Sequence, residues 1–68
     1  MYKQIKAENV LADVVRHEPT NAFIPFDPAN TDYANFKSQI NADEAQLEDA
    51  DGVLMSPEEA KAFVATLP

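Results

Sequence analysis

The sequence predicts a small single-domain α+β fold: an N-terminal antiparallel β-meander, a central helix, a short β-hairpin and a capped C-terminal helix. Three observations predict it. Helix-start signals at Asp27–Thr31 and at Ser56–Glu59 precede apolar residues at helical spacing. A proline-containing turn separates short apolar runs near the N-terminus, and a glycine-containing turn separates two more in the second half. The chain has 68 residues, so we expect one domain spanning residues 1–68.

Residues 2–26 leave two interpretations open. The apolar residues between Ala7 and Val15 fit a helical period. Three of them are β-branched valines, and no good N-cap box precedes them, which favours strands. Residues 7–17 are therefore either strand or helix.

The turn signal at Glu18–Asn21, followed by an apolar run, favours strands over residues 2–26. Pro25 has no N–H to donate, so Phe23–Phe26 is either an edge strand or a strand that ends there. The meander that fits both signals has strands at Tyr2–Lys6, Leu11–His17 and Ala22–Phe26.

The segment Ile24–Ile40 organises the rest of the chain. Asp27 stands before Pro28, and Asn30 with Thr31 offers a second cap. We expect a tight turn near residues 28–30 and a helix from about residue 31, with Asp32 in the first turn, where the helix dipole favours negative charge. The apolar residues that follow at spacings of three and four share one face and form the centre of the core: Tyr33, Phe36 and Ile40.

Two interpretations exist for the region after this helix. Asn41–Glu44 is a stop or a restart, and Leu47 would continue the apolar face of one helix to about residue 50. The alternative is a hairpin of Ala45–Glu48 and Val53–Met55, in which Gly52 supplies the positive φ of the turn. We favour the hairpin because Val53–Met55 otherwise has no role.

The C-terminal helix has the clearest start signal. Ser56 is a good N-cap, Pro57 suits the first helical position, and Glu59 completes a capping box. We expect a helix over residues 57–66. Its apolar face is Ala60, Phe63, Val64 and Leu67.

Composition excludes several classes of function. The chain has no cysteine and one histidine, which argues against disulfides, thiol catalysis and a structural zinc site, so we expect no cofactor. A domain this small is marginally stable alone, and an apolar content of 46% favours contact with a protein partner.

The charge distribution also limits the partners. The net charge of −7 arises wholly in residues 27–68, which hold nine acidic residues against Lys37 and Lys61. This disfavours direct binding of nucleic acid, which depends on basic residues. The sequence shows neither a membrane-length apolar run nor a secretion signal, so we expect a soluble protein made in a cytoplasm.

The acidic residues near Gly52 suggest calcium, but the pattern is incomplete. An EF-hand register would make Asp49 and Asp51 ligands and would place Leu47, which cannot ligate, at the first position. We therefore expect a solvated turn and no metal. The alternative to a solvated turn is an acidic face that imitates a nucleic-acid backbone and binds a basic groove on another protein.

We predict no catalytic residue. His17 is interpreted as a solvent-exposed histidine at a turn, and Asp27 and Asp32 are explained by their places at helix starts. The aromatic side chains have few basic residues among them, so we expect core rather than a platform for stacking bases. They are Tyr2, Phe23, Phe26, Tyr33, Phe36 and Phe63.

The segment Ile24–Phe36, of pattern IPxDPxNxDYxxF, resembles a motif in small and tail-associated proteins of tailed bacteriophages, especially marine and cyanobacterial ones. In these proteins the start commonly reads MYK, as in Met1-Tyr2-Lys3. The closing Leu47–Pro68 is similar to a second phage-protein ending, with an acidic turn, a Ser/Thr-Pro-Glu cap and a final helix, and together the similar segments cover about half the chain. The resemblance implies a β region before the motif, a viral origin and no enzymatic role. Gln39-Ile40-Asn41 replaces the aromatic and Gly-Asn stop of many relatives. The matching residues are structural: Pro25, Asp27, Pro28, Asn30, Asp32, Tyr33 and Phe36.

The resulting functional hypothesis is a phage structural or tail-associated accessory protein that docks to other virion proteins, in the virion or in the host cytoplasm during infection. An exposed edge strand would add to a partner sheet and exposed aromatics would anchor it. The alternative is an acidic phage protein that binds and inhibits a host protein. The candidate interaction residues are Phe23, Phe26, Asp49 and Asp51, and self-association is left open.

Overall fold

The computed structural model describes residues 1–18 and 20–68 and shows an α+β domain. One sheet has the strand order β3-β2-β1-β4, antiparallel except for the parallel β1–β4 pair. Residues 7–17, for which the sequence allowed either strand or helix, are strand on both sides of a turn at Glu8 and Asn9. The predicted turn Glu18–Asn21 includes Pro19, which lies outside the described residues. The elements are β1 (Tyr2–Ala7), β2 (Val10–His17), β3 (Ala22–Pro25), α1 (Thr31–Asn41), β4 (Leu47–Glu48) and α2 (Pro57–Ala65).

The β1–β2 connection explains why residues 7–17 are not helical. Ala7 pairs with Val10, and the two residues between them, Glu8 and Asn9, have φ of 52° and 64°. Two positive φ angles in a two-residue loop define the turn type whose twist suits a hairpin. Farther along, β2 bulges opposite β1 between Gln4 and Lys6.

The start of α1 agrees with the prediction. The Asp27 carboxylate accepts a hydrogen bond from the Ala29 N–H at 3.0 Å, and the Asp27 carbonyl accepts one from the Asn30 N–H at 2.8 Å, which closes the tight turn. Asn30 is the N-cap, and its side chain accepts from the Tyr33 N–H at 3.0 Å. Asn30 thus satisfies a backbone donor that the helix itself leaves unpaired, and Asp27 holds the turn that precedes it.

The end of α1 is a stop. Asp43 has a φ of 58°, its N–H donates to the Ile40 carbonyl at 3.2 Å, and the Glu44 N–H donates to the Gln39 carbonyl at 2.9 Å. This paired arrangement around a left-handed residue is a common helix terminator. The alternative of one helix continuing to about residue 50 is wrong.

A hairpin follows, as favoured from the sequence. The Asp49 N–H donates to the Val53 carbonyl at 2.8 Å, and the Met55 N–H donates to the Leu47 carbonyl at 2.9 Å. Gly52, with a φ of 86°, supplies the left-handed residue of the turn. Both arms are shorter than predicted, because β4 is limited to Leu47–Glu48 and only Leu54 of the predicted second arm, Val53–Met55, forms a bridge to it.

Helix α2 begins as the capping signal predicts. The Ser56 side chain accepts from the Glu59 N–H at 3.1 Å, and the Glu59 carboxylate accepts from the Ser56 N–H at 3.3 Å. The helix ends at Ala65, one residue before the predicted end, with Thr66 as the C-cap.

Both helices pack on one face of the sheet, and the core lies between the two layers. Phe36, fully buried, lies at its centre, with its ring centroid 4.8 Å from that of Tyr2. The expectation that all six aromatic residues are core is wrong for Phe23, which is 63% exposed because Ile24 takes the inward position in β3. The buried apolar residues are Tyr2, Val15, Ile24, Tyr33, Phe36, Ile40, Leu47, Ala60 and Val64.

We expect Asn30→Ala to destabilise the domain by about 1 kcal/mol, because the Tyr33 N–H loses its partner at the start of α1. Urea unfolding monitored by circular dichroism measures this. Asn35→Ala is the matched control, since Asn35 is exposed inside the same helix, and its effect should stay within about 0.5 kcal/mol. Equal losses in the two variants would contradict the capping role.

Candidate functional site

The residues of the predicted motif are mostly engaged within the fold. Asp27 and Asn30 hold the turn and the cap described above. Tyr33 is buried, and its hydroxyl donates to the Pro68 oxygen at 2.6 Å, which also accepts from Lys37 Nζ at 2.8 Å. These contacts tie α1 to the segment that follows α2, so they serve the architecture of the domain.

His17 and Asp32 lie in one groove, which the sequence did not indicate. The groove has a volume of about 410 Å³ and lies between the β2–β3 end of the sheet and α1. His17 is half-buried rather than solvent-exposed as expected, because its ring lies 4.9 Å from that of Tyr2. Asp27 is not part of the lining. The polar lining residues are Tyr2, His17, Thr20, Asp32, Asn35 and Gln39.

The hydrogen bonds in this groove are local or structural. Thr20 Oγ1 lies 2.9 Å from His17 Nδ1, and it also contacts the His17 carbonyl and the Ala22 N–H, all within the turn between β2 and β3. The Tyr2 hydroxyl donates to Gln39 Oε1 at 2.6 Å, linking β1 to α1. The Tyr2–Gln39 hydrogen bond in this groove therefore links the sheet to the central helix.

Both tyrosines of the chain lie in a surrounding that disfavours the phenolate. Burial raises the pKa of Tyr2, and the nearby Asp32 carboxylate raises it further. Burial alone raises the pKa of Tyr33. The neutral phenol is the form that both hydrogen bonds require, since each hydroxyl is a donor.

The acidic turn is organised by one of its own side chains. Asp49 Oδ1 accepts from the backbone N–H groups of Asp51 and Val53, each at 2.9 Å. The exposed Asp51 carboxylate lies 3.9 Å from Lys6 Nζ. Among residues 1–18 and 20–68, no group of three or more potential ligands is placed to hold a metal ion.

The face of the sheet turned away from the helices carries apolar and basic residues. One row, fixed by strand pairing, runs across it: Phe23, Arg16, Lys3, Glu48 and Leu54. A second row pairs Pro25 with Val14, and Ile5 follows on β1. We call these eight residues the outer sheet face. Its apolar members are unusual, because the solvent side of an antiparallel sheet is normally polar.

The candidate interaction residues occupy different surroundings. Phe23 lies on the outer sheet face and is largely exposed, whereas Phe26 is half-buried, with its ring 5.5 Å from Tyr33 and 6.3 Å from Phe63. Asp49 is engaged in its turn, and Asp51 is exposed. The sequence missed Ile5 and Val14, because their side of the sheet follows only from the observed register.

The outermost segment on each side of the sheet exposes one residue whose backbone N–H and C=O are both unpaired. The Phe26 N–H donates to the Asp13 carbonyl at 2.9 Å, so alternation directs the N–H and C=O of Phe23 away from β2. Pro25 also faces outward and has no N–H. On the other edge, the bonds made by Val53 and Met55 leave the N–H and C=O of Leu54 facing outward.

Comparison of the chain with protein-family models, curated proteins and solved structures finds no significant match. Within the described ranges, neither helix has the length and apolar character needed to cross a membrane.

We expect the two tyrosines to ionise above their ordinary pKa of about 10 while the protein is folded. Because the folded pKa is raised, stability should be unaffected by the tyrosines below about pH 10 and should fall as the pH rises from there toward the folded pKa values. Tyrosinate absorbance measures ionisation, and the same titration in concentrated urea supplies the unfolded reference. Superimposable folded and unfolded curves would contradict the prediction.

A matched pair of variants isolates the contribution of Asp32. In a Tyr33→Phe background, Asp32→Asn should lower the pKa of Tyr2, whereas Asp27→Asn should leave it unchanged because Asp27 lies outside the groove.

Proposed function

We propose that this chain is a non-enzymatic accessory protein of a tailed bacteriophage that docks to other virion proteins through the outer sheet face. The observation that carries the proposal is the exposed Phe23 beside Arg16 and the Val14–Pro25 pair, on the sheet face that neither helix of the described residues covers. Aromatic residues and arginine are the side chains most enriched at the energetic centres of protein interfaces. The resemblance of Ile24–Phe36 to phage proteins supports the viral setting.

Docking through side chains suits this sheet better than strand addition. A partner strand added to β3 would meet only one outward residue with both backbone groups, Phe23, before it reached Pro25. Strand addition takes its affinity from repeated main-chain hydrogen bonds. The outer sheet face offers several half-exposed side chains instead.

The polar residues that would suggest chemistry have structural roles that support a non-enzymatic assignment. Asp27 and Asn30 satisfy backbone donors at the start of α1, and His17 contacts Thr20 within one turn. These contacts account for Asp27, Asn30 and His17 without assigning any of them a catalytic role.

Mass spectrometry of gradient-purified particles should detect the chain in stoichiometric amount. Amine-reactive cross-linking of those particles should join Lys3, on the outer sheet face, to other virion proteins. Lys37 and Lys61 should react much less with such proteins, because they contact Pro68 and Asp43 on the helical side. Absence of the chain from the particles, or cross-links confined to the helical side, would contradict the proposal.

Particle incorporation of two variants tests the role of Phe23. Phe23→Ala should reduce incorporation by roughly tenfold or more, as expected for the loss of an interface anchor. Val53→Ala is the matched control, because Val53 is 62% exposed and lies outside the outer sheet face. Equal incorporation of both variants would remove Phe23 from the docking surface.

A second candidate function rests on the placement of negative charge. Four exposed acidic side chains lie after α1, in the hairpin and at the start of α2, all outside the outer sheet face, and Asp43 among them is paired with Lys61: Asp43, Glu44, Asp51 and Glu58. A surface of this kind fits an inhibitor that binds a basic host protein.

The inhibitor hypothesis predicts that the chain retains a basic host protein on an affinity column and releases it as the salt concentration rises, because salt screens exposed charges. Glu58→Lys should weaken retention, whereas Phe23→Ala should leave it unchanged. Retention insensitive to salt would count against this function.

A further inference from the structure

One row of residues joins the two edges of the sheet. It begins at Phe23 on β3, passes through Arg16, Lys3 and Glu48, and ends at Leu54. The two end residues are apolar, with Phe23 63% and Leu54 51% exposed. Both are also the edge residues whose N–H and C=O face outward. Each end of the row therefore has one exposed apolar side chain and one residue whose backbone N–H and C=O are unpaired.

The strand directions make the two edges complementary. β3 runs parallel to β1, because both pair antiparallel with β2. The segment of Leu54 runs opposite to β4, which is parallel to β1. A second copy set beside the first with the same face outward thus places its β3 antiparallel to this segment. In that arrangement Phe23 and Leu54 face each other as a hydrogen-bonded pair.

We propose that copies of this chain associate head to tail, with Phe23 of one copy paired to Leu54 of the next. The two residues would exchange two backbone hydrogen bonds, and their side chains would pack on the same face. Contacts between unlike edges do not close on themselves as a two-fold dimer does, so the product is a ring or an open array. This assembly uses the backbone edges of the sheet. The outer sheet face, which includes Phe23, still faces the docking partner.

Charge favours unlike edges over a pair of hairpin edges. Residues 1–26, which include β3, hold three basic and three acidic residues, whereas the hairpin carries Glu48, Asp49 and Asp51. Two hairpin edges would place acidic residues together. Pairing β3 with β3 avoids this repulsion, but it leaves both Leu54 edges uncovered, and the head-to-tail contact covers both kinds of edge.

The contact is small, so the association should be weak in dilute solution. Pro25 follows Phe23 on its edge, and beyond Leu54 the Ser56 N–H is bonded to the Glu59 carboxylate, which limits pairing to one residue on each outermost segment. Association has to offset several kcal/mol of lost translational and rotational freedom. The effect should therefore be visible at high protein concentration, or where a surface already holds the copies side by side.

Nuclear magnetic resonance of the uniformly nitrogen-15-labelled full chain tests the proposal. On dilution from millimolar to low-micromolar concentration, the amide signals of Phe23 and Leu54 should shift together with one midpoint. Phe23→Lys and Leu54→Lys should each abolish the shift. Val10→Lys is the matched control, because Val10 is 67% exposed and lies away from both edges, and it should behave as wild type.

Mixing the two edge variants gives the sharpest result. Labelled Phe23→Lys protein keeps its Leu54 edge, and unlabelled Leu54→Lys protein keeps its Phe23 edge. Together they should restore the Leu54 shift, and sedimentation velocity should show assembly that stops at a dimer, whereas wild type continues to larger species.

Three results would overturn the head-to-tail contact: no dependence on concentration in wild type, persistent association of Leu54→Lys through paired β3 edges, or no interaction in the mixture. None of them bears on docking to virion proteins. That function is tested separately by particle incorporation, in which Leu54→Lys retains Phe23.

Discussion

A chain of 68 residues has enough helix to cover one face of its sheet, and this constraint determines the rest of the structure. The covered face contributes Tyr2, Val15 and Ile24 to the core, against which α1 presents Phe36 and Ile40. Neither helix of the described residues covers the opposite face. The apolar residues on that face, Phe23, Val14 and Ile5, support the proposed docking role.

Helix α1 depends on the backbone geometry just before it. The turn held by Asp27 and the cap supplied by Asn30 fix the direction in which the chain leaves β3. That direction sets which side of α1 meets the sheet. Phe36 on the buried side of α1 packs against the ring of Tyr2. The Tyr2 hydroxyl donates to Gln39 Oε1 at 2.6 Å, and this bond joins the sheet to the helix. These local contacts before α1 thereby help to bring together core residues that are distant in sequence.

The sequence predicts those parts of the fold that depend on local chemistry. The caps at Asn30 and Ser56, the turn at Gly52 and the edge position of Pro25 all follow from what one residue type does to its own backbone. The strand at residues 10–17 is different. Its hairpin turn uses Glu8 and Asn9 at positive φ without a glycine, so the usual signal is missing and the valines also fit a helical period.

The surroundings of the candidate site could not be predicted in the same way. Phe23 and Ile24 are adjacent and both apolar, and only the pairing of β3 with β2 decides that Ile24 is buried and Phe23 exposed. His17 presents the same difficulty, because its contact with the ring of Tyr2 joins two strands. Side-chain types can be read from the sequence. Which face of the sheet a side chain lies on, and which residues it contacts, depends on the register of the strands.

The edges of the sheet show how the chain restricts the same surface that it exposes. Long edges of unpaired backbone invite uncontrolled pairing between molecules. Here Pro25 removes a donor on one side, and on the other side the Ser56 N–H is bonded to the Glu59 carboxylate, so each outermost segment keeps one free backbone pair. The acidic second half, which carries the whole net charge of −7, adds repulsion between molecules in solution. In the proposed head-to-tail contact, an apolar pair and two hydrogen bonds coincide in one register. Restriction of this kind permits ordered assembly on a surface while disfavouring aggregation in solution.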